Sequence, residues 1–241
     1  MRIVQVVQHT SAEYLGLIED HLEGRGVRFR YSRPFTSAGA LPVAGTLSDG
    51  LVLLGGGPWG SAGTRDLPTL AAEVALAKSS LARGWPVVGI GLGEQVLALA
   101  AGGRTEPAPL AFTVTTARRS RDDALGGYLP AEYPLATYGR DRAVPPADAT
   151  ILAADAEGPA LWQWGERAFG FRAHPGLKDA MVEDLVMEFE ESPPLEPALS
   201  RLRAAQRALE DALVPIMTGL VRAAGWMDPP RGLSAIPVRR A

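Results

Sequence analysis

The positions of the apolar residues predict an alternation of strands and helices over the first hundred residues. Four short segments have the pattern of strands, and the β-branched run at 3–7 is typical of a strand in a sheet that is covered on both faces. They lie at 3–7, 27–31, 51–54 and 86–90. Apolar residues recur at helical spacing in three further segments, 10–23, 70–81 and 94–101. This order predicts an α/β fold with a doubly wound, mostly parallel sheet and right-handed crossovers.

The first helix is predicted to begin at Thr10. Thr10 and Glu13 have the spacing of a capping box, in which each side chain bonds to the backbone amide of the other residue. Gly24 and Gly26 follow the segment and predict its end near Glu23.

The middle of the chain has a different pattern, with short segments of β-forming and aromatic residues separated by turns. These segments lie at 110–117, 133–138, 150–154, 160–164 and 168–172. No helical pattern intervenes, so we expect a small antiparallel or mixed patch laid onto the parallel sheet. A helix is then predicted over 177–190.

The C-terminal part contains a second long helical pattern, over 195–224. Pro215 is expected to kink that helix or to divide it in two. We therefore divide the chain into a main domain, 1–191, and a helical extension with a loose tail, 192–241. The extension is interpreted as a packed accessory helix, or alternatively as a contact for a partner or for a second copy of the chain.

The composition narrows the range of functions to be expected. The 241 residues are 46% hydrophobic and carry a net charge of −3, which is typical of a globular protein and gives no indication of nucleic-acid binding. The apolar run at the N-terminus is too short for an export signal or a membrane span, so we expect a cytoplasmic protein. There is no cysteine, and the three histidines are dispersed, so neither a metal site nor another cofactor is expected.

A sharp turn at Gly91 carries the most information about chemistry. A strand, a turn of small residues and a helix follow one another over 86–101, which is the pattern of a nucleophile elbow. Such a turn exposes its central side chain at the carboxyl edge of the sheet, and the helix after it directs its N-terminus at the same place. Here the central residue is glycine.

Three motifs together resemble the class I glutamine amidotransferases, especially the stand-alone type similar to the glutaminase half of GMP synthetase. The elbow of that family reads G-I-C-L-G-x-Q, and residues 89–95 read G-I-G-L-G-E-Q. The Gly-Gly-Pro turn of the family is matched by Gly56-Gly57-Pro58, and its His-Pro-Glu by His174-Pro175-Gly176. The resemblance covers about residues 1–190 and implies a flavodoxin-like sheet.

Two departures from the family pattern affect the chemistry that the resemblance implies. In the family a cysteine attacks the glutamine amide, a histidine deprotonates the thiol and a glutamate orients the histidine. Gly91 stands at the cysteine position and Gly176 at the glutamate position. We therefore expect a degenerate member, a pseudoenzyme without glutaminase activity.

The remaining candidates form a binding site around the former oxyanion hole. The resemblance implies backbone donors at Gly56, Gly57 and Leu92 beside Gly91, and Gln95 as a brace of the turn. The Trp59 side chain is expected either to line the pocket or to pack within its own loop. Arg140 could recognise an anionic group, and a surface ion pair is the other interpretation.

Two residues are candidates for remaining catalysis, His174 and Glu94. They could form a new acid–base pair facing the pocket. Alternatively, Glu94 is an acidic residue favoured by the helix dipole and His174 is a hydrogen-bonded remnant.

Three functional hypotheses follow. The first is a non-catalytic homologue that binds a small molecule or a protein partner, with a possible homo-oligomer through the C-terminal helix. The second is a repurposed enzyme in which His174 and Glu94 act on a small substrate other than glutamine, without a thioester. The third is a conventional amidotransferase that carries an inactivating substitution. Nucleic-acid and membrane partners are not expected.

Overall fold

The computed structural model describes residues 2–47 and 49–227. Five helices are present in this part of the chain: α1 (Leu17–Glu23), α2 (Leu70–Ala82), α3 (Leu92–Ala100), α4 (Asp179–Glu188) and α5 (Ala198–Ala223). The strands are β1 (Arg2–Val7), β2 (Val27–Ser32), β3 (Leu51–Leu53), β4 (Val87–Ile90), β5 (Arg104–Glu106), β6 (Ala111–Arg119), β7 (Glu132–Gly139), β8 (Arg142–Val144), β9 (Thr150–Asp155), β10 (Gly158–Trp164) and β11 (Ala168–Phe171).

Nine of these strands form one continuous sheet in the order β2-β1-β3-β4-β11-β10-β9-β6-β7. The strands from β2 to β11 are parallel, and those from β11 to β7 are antiparallel to their neighbours. The predicted α/β class is confirmed. The antiparallel strands continue the parallel sheet edge to edge, and the segment predicted at 168–172 is itself parallel to β4.

The predicted start of α1 is wrong. The helix begins at Leu17, because the preceding Gly16 has a φ of 57° and interrupts the helical backbone. Half of the capping box is present, since the Glu13 amide donates to Thr10 Oγ1 at 3.0 Å. The side chain of Glu13 instead reaches a distant glycine turn, which is described below.

The long C-terminal helix α5 packs on the antiparallel half of the sheet and on α1 and α4. It is one continuous helix with Pro215 inside it. Leu202 and Leu213 are completely buried, so this helix supplies part of the hydrophobic core. The tail predicted at 229–241 lies outside the described residues. Within the described part, no helix is both long and apolar enough to cross a membrane.

Candidate functional site

The turn after β4 has the backbone of a nucleophile elbow. Gly91 has φ 58° and ψ −116°, its amide donates to Phe171 O at 2.8 Å, and its carbonyl accepts the Glu94 amide at 3.0 Å. A positive φ favours glycine, although nucleophile elbows hold other residues there under strain. A Cβ at this position would meet only Gly55 Cα, at 3.4 Å. The turn therefore keeps room for a side chain that the sequence does not supply.

Close packing brings the start of α3 against the end of β3. A Cβ on Gly93 would lie 2.0 Å from the Leu53 carbonyl oxygen, so only glycine allows this approach. The Gly93 amide donates to Leu54 O at 3.0 Å. Leu92 is the first residue of α3, and its amide has no hydrogen-bond partner among the described residues, as expected for the first turn of a helix.

A cavity of about 140 Å³ opens at this turn. Its lining contains almost all the candidates from the sequence: Gly56, Gly57, Trp59, Gly91, Leu92, Glu94, Gln95 and Arg140. It also contains several residues that sequence reasoning did not single out, including Tyr138, Asp141, Arg142, Glu157 and Arg172. His174 does not line this cavity.

The Gly-Gly-Pro turn is held from behind by Glu13. The Glu13 carboxylate accepts a hydrogen bond from the Gly57 amide, which is one of the expected oxyanion donors. A Cβ on Gly55 would lie 2.0 Å from Glu13 Oε1, so the glycine is required for this contact. The Gly56 carbonyl accepts the Trp59 amide at 3.0 Å. The peptide between Gly56 and Gly57 is thus bonded at both its oxygen and its nitrogen.

A buried ion pair supports the same turn. His9 lies just beyond β1, and its ring contacts Gly55 O at 3.0 Å through Nδ1 and Glu73 at 2.8 Å through Nε2. Burial opposes protonation of His9, but the Glu73 carboxylate and the Gly55 carbonyl outweigh burial and raise its pKa. Burial raises the pKa of Glu13 to about 7, against the opposing effects of the Gly57 amide and of His9.

Glu94 is buried at the inner end of the cavity. Its Oε1 accepts a hydrogen bond from the indole nitrogen of Trp162 at 2.6 Å. Its other oxygen, Oε2, has no hydrogen bond in the part of the chain that the structure describes. Burial raises the pKa of this carboxyl to about 8, although Trp162 and Arg172 favour the charged form. At neutral pH Glu94 is therefore mostly a protonated carboxylic acid, which can donate a hydrogen bond.

His174 occupies a different environment. Its Nε2 contacts the Tyr14 carbonyl oxygen at 2.9 Å, and its Nδ1 accepts the Gly176 amide at 3.1 Å. Burial lowers its pKa to about 4, so the ring is neutral and the proton resides on Nε2. The ring lies in a small hollow between β7 and α5. The structure therefore places Glu94 in the cavity and His174 outside it.

The polar residues of the rim hold the loop that carries Trp59. Gln95 accepts from Ser61 Oγ at 2.6 Å and donates to the Arg140 carbonyl at 2.8 Å. Arg140 itself donates from Nε to Pro58 O at 2.6 Å and forms an ion pair with Glu191. Both side chains are used as braces of this loop.

Two lining residues have unused hydrogen-bonding capacity. The hydroxyl of Tyr138, a residue only 7% exposed, and Nε of Arg172 have no partner within the described residues. The rest of the Arg172 guanidinium is paired with Asp155 and lies 3.4 Å from Gly158 O. Local sequence offered no signal for Tyr138, but Arg172 directly follows β11 at the carboxyl edge of the sheet, where α/β proteins place ligands.

Among the described residues, no group of three or more side chains could hold a metal ion. The arrangement is that of a doubly wound α/β protein with an empty elbow at the carboxyl edge of its sheet, the position of ligand sites in this class of fold.

We compared the sequence and the structure with those of known proteins. No protein-family model and no curated protein matches the sequence. The chain shares the fold of solved glutamine amidotransferases. The enzyme from Methylobacillus flagellatus is 21% identical, with a TM-score of 0.77 over 92% of this chain and 95% of that one. The Thermotoga maritima glutamine amidotransferase is 21% identical, with a TM-score of 0.70 over 94% and 97% of the two chains. The likeness extends to a putative GMP synthase protein from Thermoplasma acidophilum, at 20% identity and a TM-score of 0.55, over 86% of this chain and 98% of that chain. The amidotransferase-like fold inferred from the three motifs is confirmed.

Proposed function

We propose that this protein binds a small molecule in the cavity at Gly91 and does not hydrolyse glutamine through a thioester. The observation that carries this proposal is the combination of an open cavity with the loss of its covalent chemistry. Gly91 has no side chain, and the chain contains no cysteine at any position. A small-molecule ligand is favoured over a protein partner because the polar groups converge inside a concave site.

The placement of His174 supports the non-catalytic interpretation. Both ring nitrogens are bonded to backbone groups, and burial keeps the ring neutral at physiological pH. A general base needs a free nitrogen within hydrogen-bonding distance of the proton that it removes. His174 offers no such nitrogen to the cavity.

One observation favours a second candidate, a repurposed enzyme. Glu94 lines the cavity, and its pKa of about 8 is close to the range that suits a general acid or base near neutral pH. In this alternative Glu94 exchanges a proton with a small substrate other than glutamine. Its expected signature is turnover that is lost in Glu94→Gln while ligand binding persists.

The absence of cysteine allows a direct test of the ligand site. Gly91→Cys gives a protein with a single thiol at the cavity, and a Cβ there has room. Its alkylation by iodoacetamide is followed by mass spectrometry in the presence of amino acids, organic acids and nucleotides. A ligand at ten times its dissociation constant is expected to slow alkylation about tenfold, because it occupies the site for most of the time.

Ser120→Cys is the matched control, since Ser120 is exposed and does not line the cavity. Alkylation of this variant is expected to proceed at the same rate with and without ligand. If no compound in the panel protects the thiol at position 91, the proposed ligand site is contradicted.

The second half of the proposal is tested by restoring the missing residues. The double variant is Gly91→Cys with Gly176→Glu, and a Cβ at position 176 has room, since it meets nothing closer than Leu213 Cδ2 at 3.4 Å. We expect this double variant and the unaltered protein to show no glutaminase activity, because His174 points away from the cavity. Ammonia release by the unaltered protein contradicts the proposal. Release by the double variant alone shows that the histidine can still reach the elbow.

A further inference from the structure

Four polar groups of the cavity lining lack a hydrogen-bond partner among the described residues and can donate at neutral pH. They are the Leu92 amide at the start of α3, the protonated carboxyl of Glu94 and Nε of Arg172. A fourth is the Tyr138 hydroxyl, whose residue lines the same cavity. Buried donors that lack an acceptor destabilise the folded protein, so a ligand that supplies acceptors relieves this cost.

We propose that the cavity recognises a carboxylate group of its ligand between the Leu92 amide, the Glu94 carboxyl and the Arg172 guanidinium. This inference rests on the ligand site proposed above and specifies its chemistry. Three features of the same cavity lining support the inference together. They are the N-terminus of α3 at Leu92, the buried carboxyl of Glu94 with one oxygen that is not hydrogen-bonded, and Arg172, whose Nε has no partner among the described residues.

The engagement of the Gly57 amide determines where the carboxylate is placed. An oxyanion hole of the family type needs two converging backbone donors, and Glu13 already occupies the Gly57 amide. Of the two expected backbone donors, only the Leu92 amide is therefore available to a ligand. A negatively charged oxygen bound by Leu92 therefore completes its hydrogen bonds on the side of Glu94 and Arg172.

The charge balance favours a monoanion over inorganic phosphate. Arg172 is paired with the buried carboxylate of Asp155, and the lining residues Arg142 and Glu157 carry opposite charges, so these charges compensate one another. Protonated Glu94 adds hydrogen-bonding capacity without adding charge. A site of this kind suits a single carboxylate, which needs few donors and brings one charge, better than a phosphate dianion, which calls for a net positive cluster.

The volume of the cavity determines which small molecules are suitable for testing this inference. A volume of about 140 Å³ is close to that of an engineered cavity of about 150 Å³ that accommodates benzene. Benzoate and benzamide have nearly the same shape and differ in the charge and donors of one substituent. Benzylamine and inorganic phosphate represent a cation and a more highly charged anion.

The test is calorimetric titration of the full-length protein with each of the four probes at pH 7. We expect benzoate to bind at least about tenfold more tightly than benzamide, since charge-assisted hydrogen bonds are roughly twice as strong as neutral ones. Benzylamine and phosphate are expected to bind more weakly than benzoate. Equal affinity for benzoate and benzamide, or no binding of benzoate, overturns the inference.

Two substitutions locate the bound group. Arg172→Lys keeps a positive charge near Asp155 but removes the planar set of donors, so benzoate affinity is expected to fall about tenfold. Glu94→Gln retains an N–H donor and is expected to preserve benzoate binding within about threefold. The matched control is Arg119→Lys, whose arginine pairs with Asp122 and does not line the cavity. Benzoate affinity should be unchanged in that variant, and a loss in Arg172→Lys no larger than in this control overturns the assignment.

Failure of this inference is distinguishable from failure of the proposed function. If benzylamine or phosphate binds and protects the thiol of Gly91→Cys, the ligand site stands and the carboxylate specificity is wrong. If no compound protects that thiol, the ligand site itself is contradicted.

Discussion

Glu94 makes a quantitative prediction about how stability depends on pH. Burial raises the pKa of its carboxyl from 4.5 to about 8 in the folded protein. Between these two values the unfolded chain has released the proton and the folded chain has retained it. The folded pKa is the higher one, so the contribution of Glu94 is fully present below pH 4.5 and is lost as the pH rises towards 8.

The size of the effect follows from the shift. A difference of one pKa unit corresponds to about 1.36 kcal/mol, so the whole shift corresponds to roughly 5 kcal/mol. Part of each titration lies outside the range from pH 5 to pH 8.5, which leaves roughly 4 kcal/mol within it. Because Glu94 is buried, solvent screening does not reduce this value substantially. The loss is large compared with a typical unfolding free energy of about 5–15 kcal/mol.

Glu94→Gln isolates this contribution. Glutamine has nearly the same shape and keeps an oxygen for the Trp162 indole, but it does not ionise. The free energy of unfolding is measured by urea titration of both proteins at pH 5 and at pH 8.5. We expect similar values at pH 5, and a variant more stable by roughly 4 kcal/mol at pH 8.5.

The comparison between the two proteins removes the other titrating groups, because His9, Glu13 and His174 are present in both. A difference between variant and parent that is the same at pH 5 and pH 8.5 refutes the reasoning. It would mean that Glu94 is ionised in the folded protein, and the neutral donor inferred for the cavity would then be absent.

Three further predictions test the packing around the site. His174→Ala removes the acceptor of the Gly176 amide and the donor to Tyr14 O, so we expect a loss of about 2–4 kcal/mol at pH 7 in urea unfolding, with benzoate affinity unchanged. The parent should lose more stability than the alanine variant as the pH falls from 6.5 towards 4, and equal pH profiles would contradict the buried neutral ring. Leu213→Ala should cost about 2–5 kcal/mol because the side chain is completely buried, while Val214→Ala, at a position 51% exposed, should cost less than about 0.5 kcal/mol. Similar losses for the two would show that α5 does not pack as described. Gly93→Ala should prevent or severely weaken folding because its Cβ meets Leu53 O, whereas Gly91→Ala should cost about 1–3 kcal/mol for its strained φ and ψ, as judged by thermal unfolding. The reverse order of these two losses would contradict the elbow geometry.

The sequence by itself determined the strands of the sheet and the elbow. The segments at 3–7 and 86–90 are rich in β-branched apolar residues, and such runs form buried parallel strands wherever helices cover both faces of the sheet. The turn at Gly91 could be predicted for a similar local reason, because only small residues allow a strand to meet a helix so closely. The absence of cysteine is evident from the sequence alone.

The tertiary structure decided how the polar side chains are used. Glu13 was interpreted as a helix cap, but it bonds to the Gly57 amide, which is 44 residues away in the chain. For His174 the sequence left two interpretations open, an acid–base pair with Glu94 or a hydrogen-bonded remnant, and its ring nitrogens bond to Tyr14 and Gly176. Local periodicity records which face of an element is apolar. The partner of a buried polar group depends instead on which distant backbone atoms the folded chain brings within about 3 Å, and no local pattern encodes that.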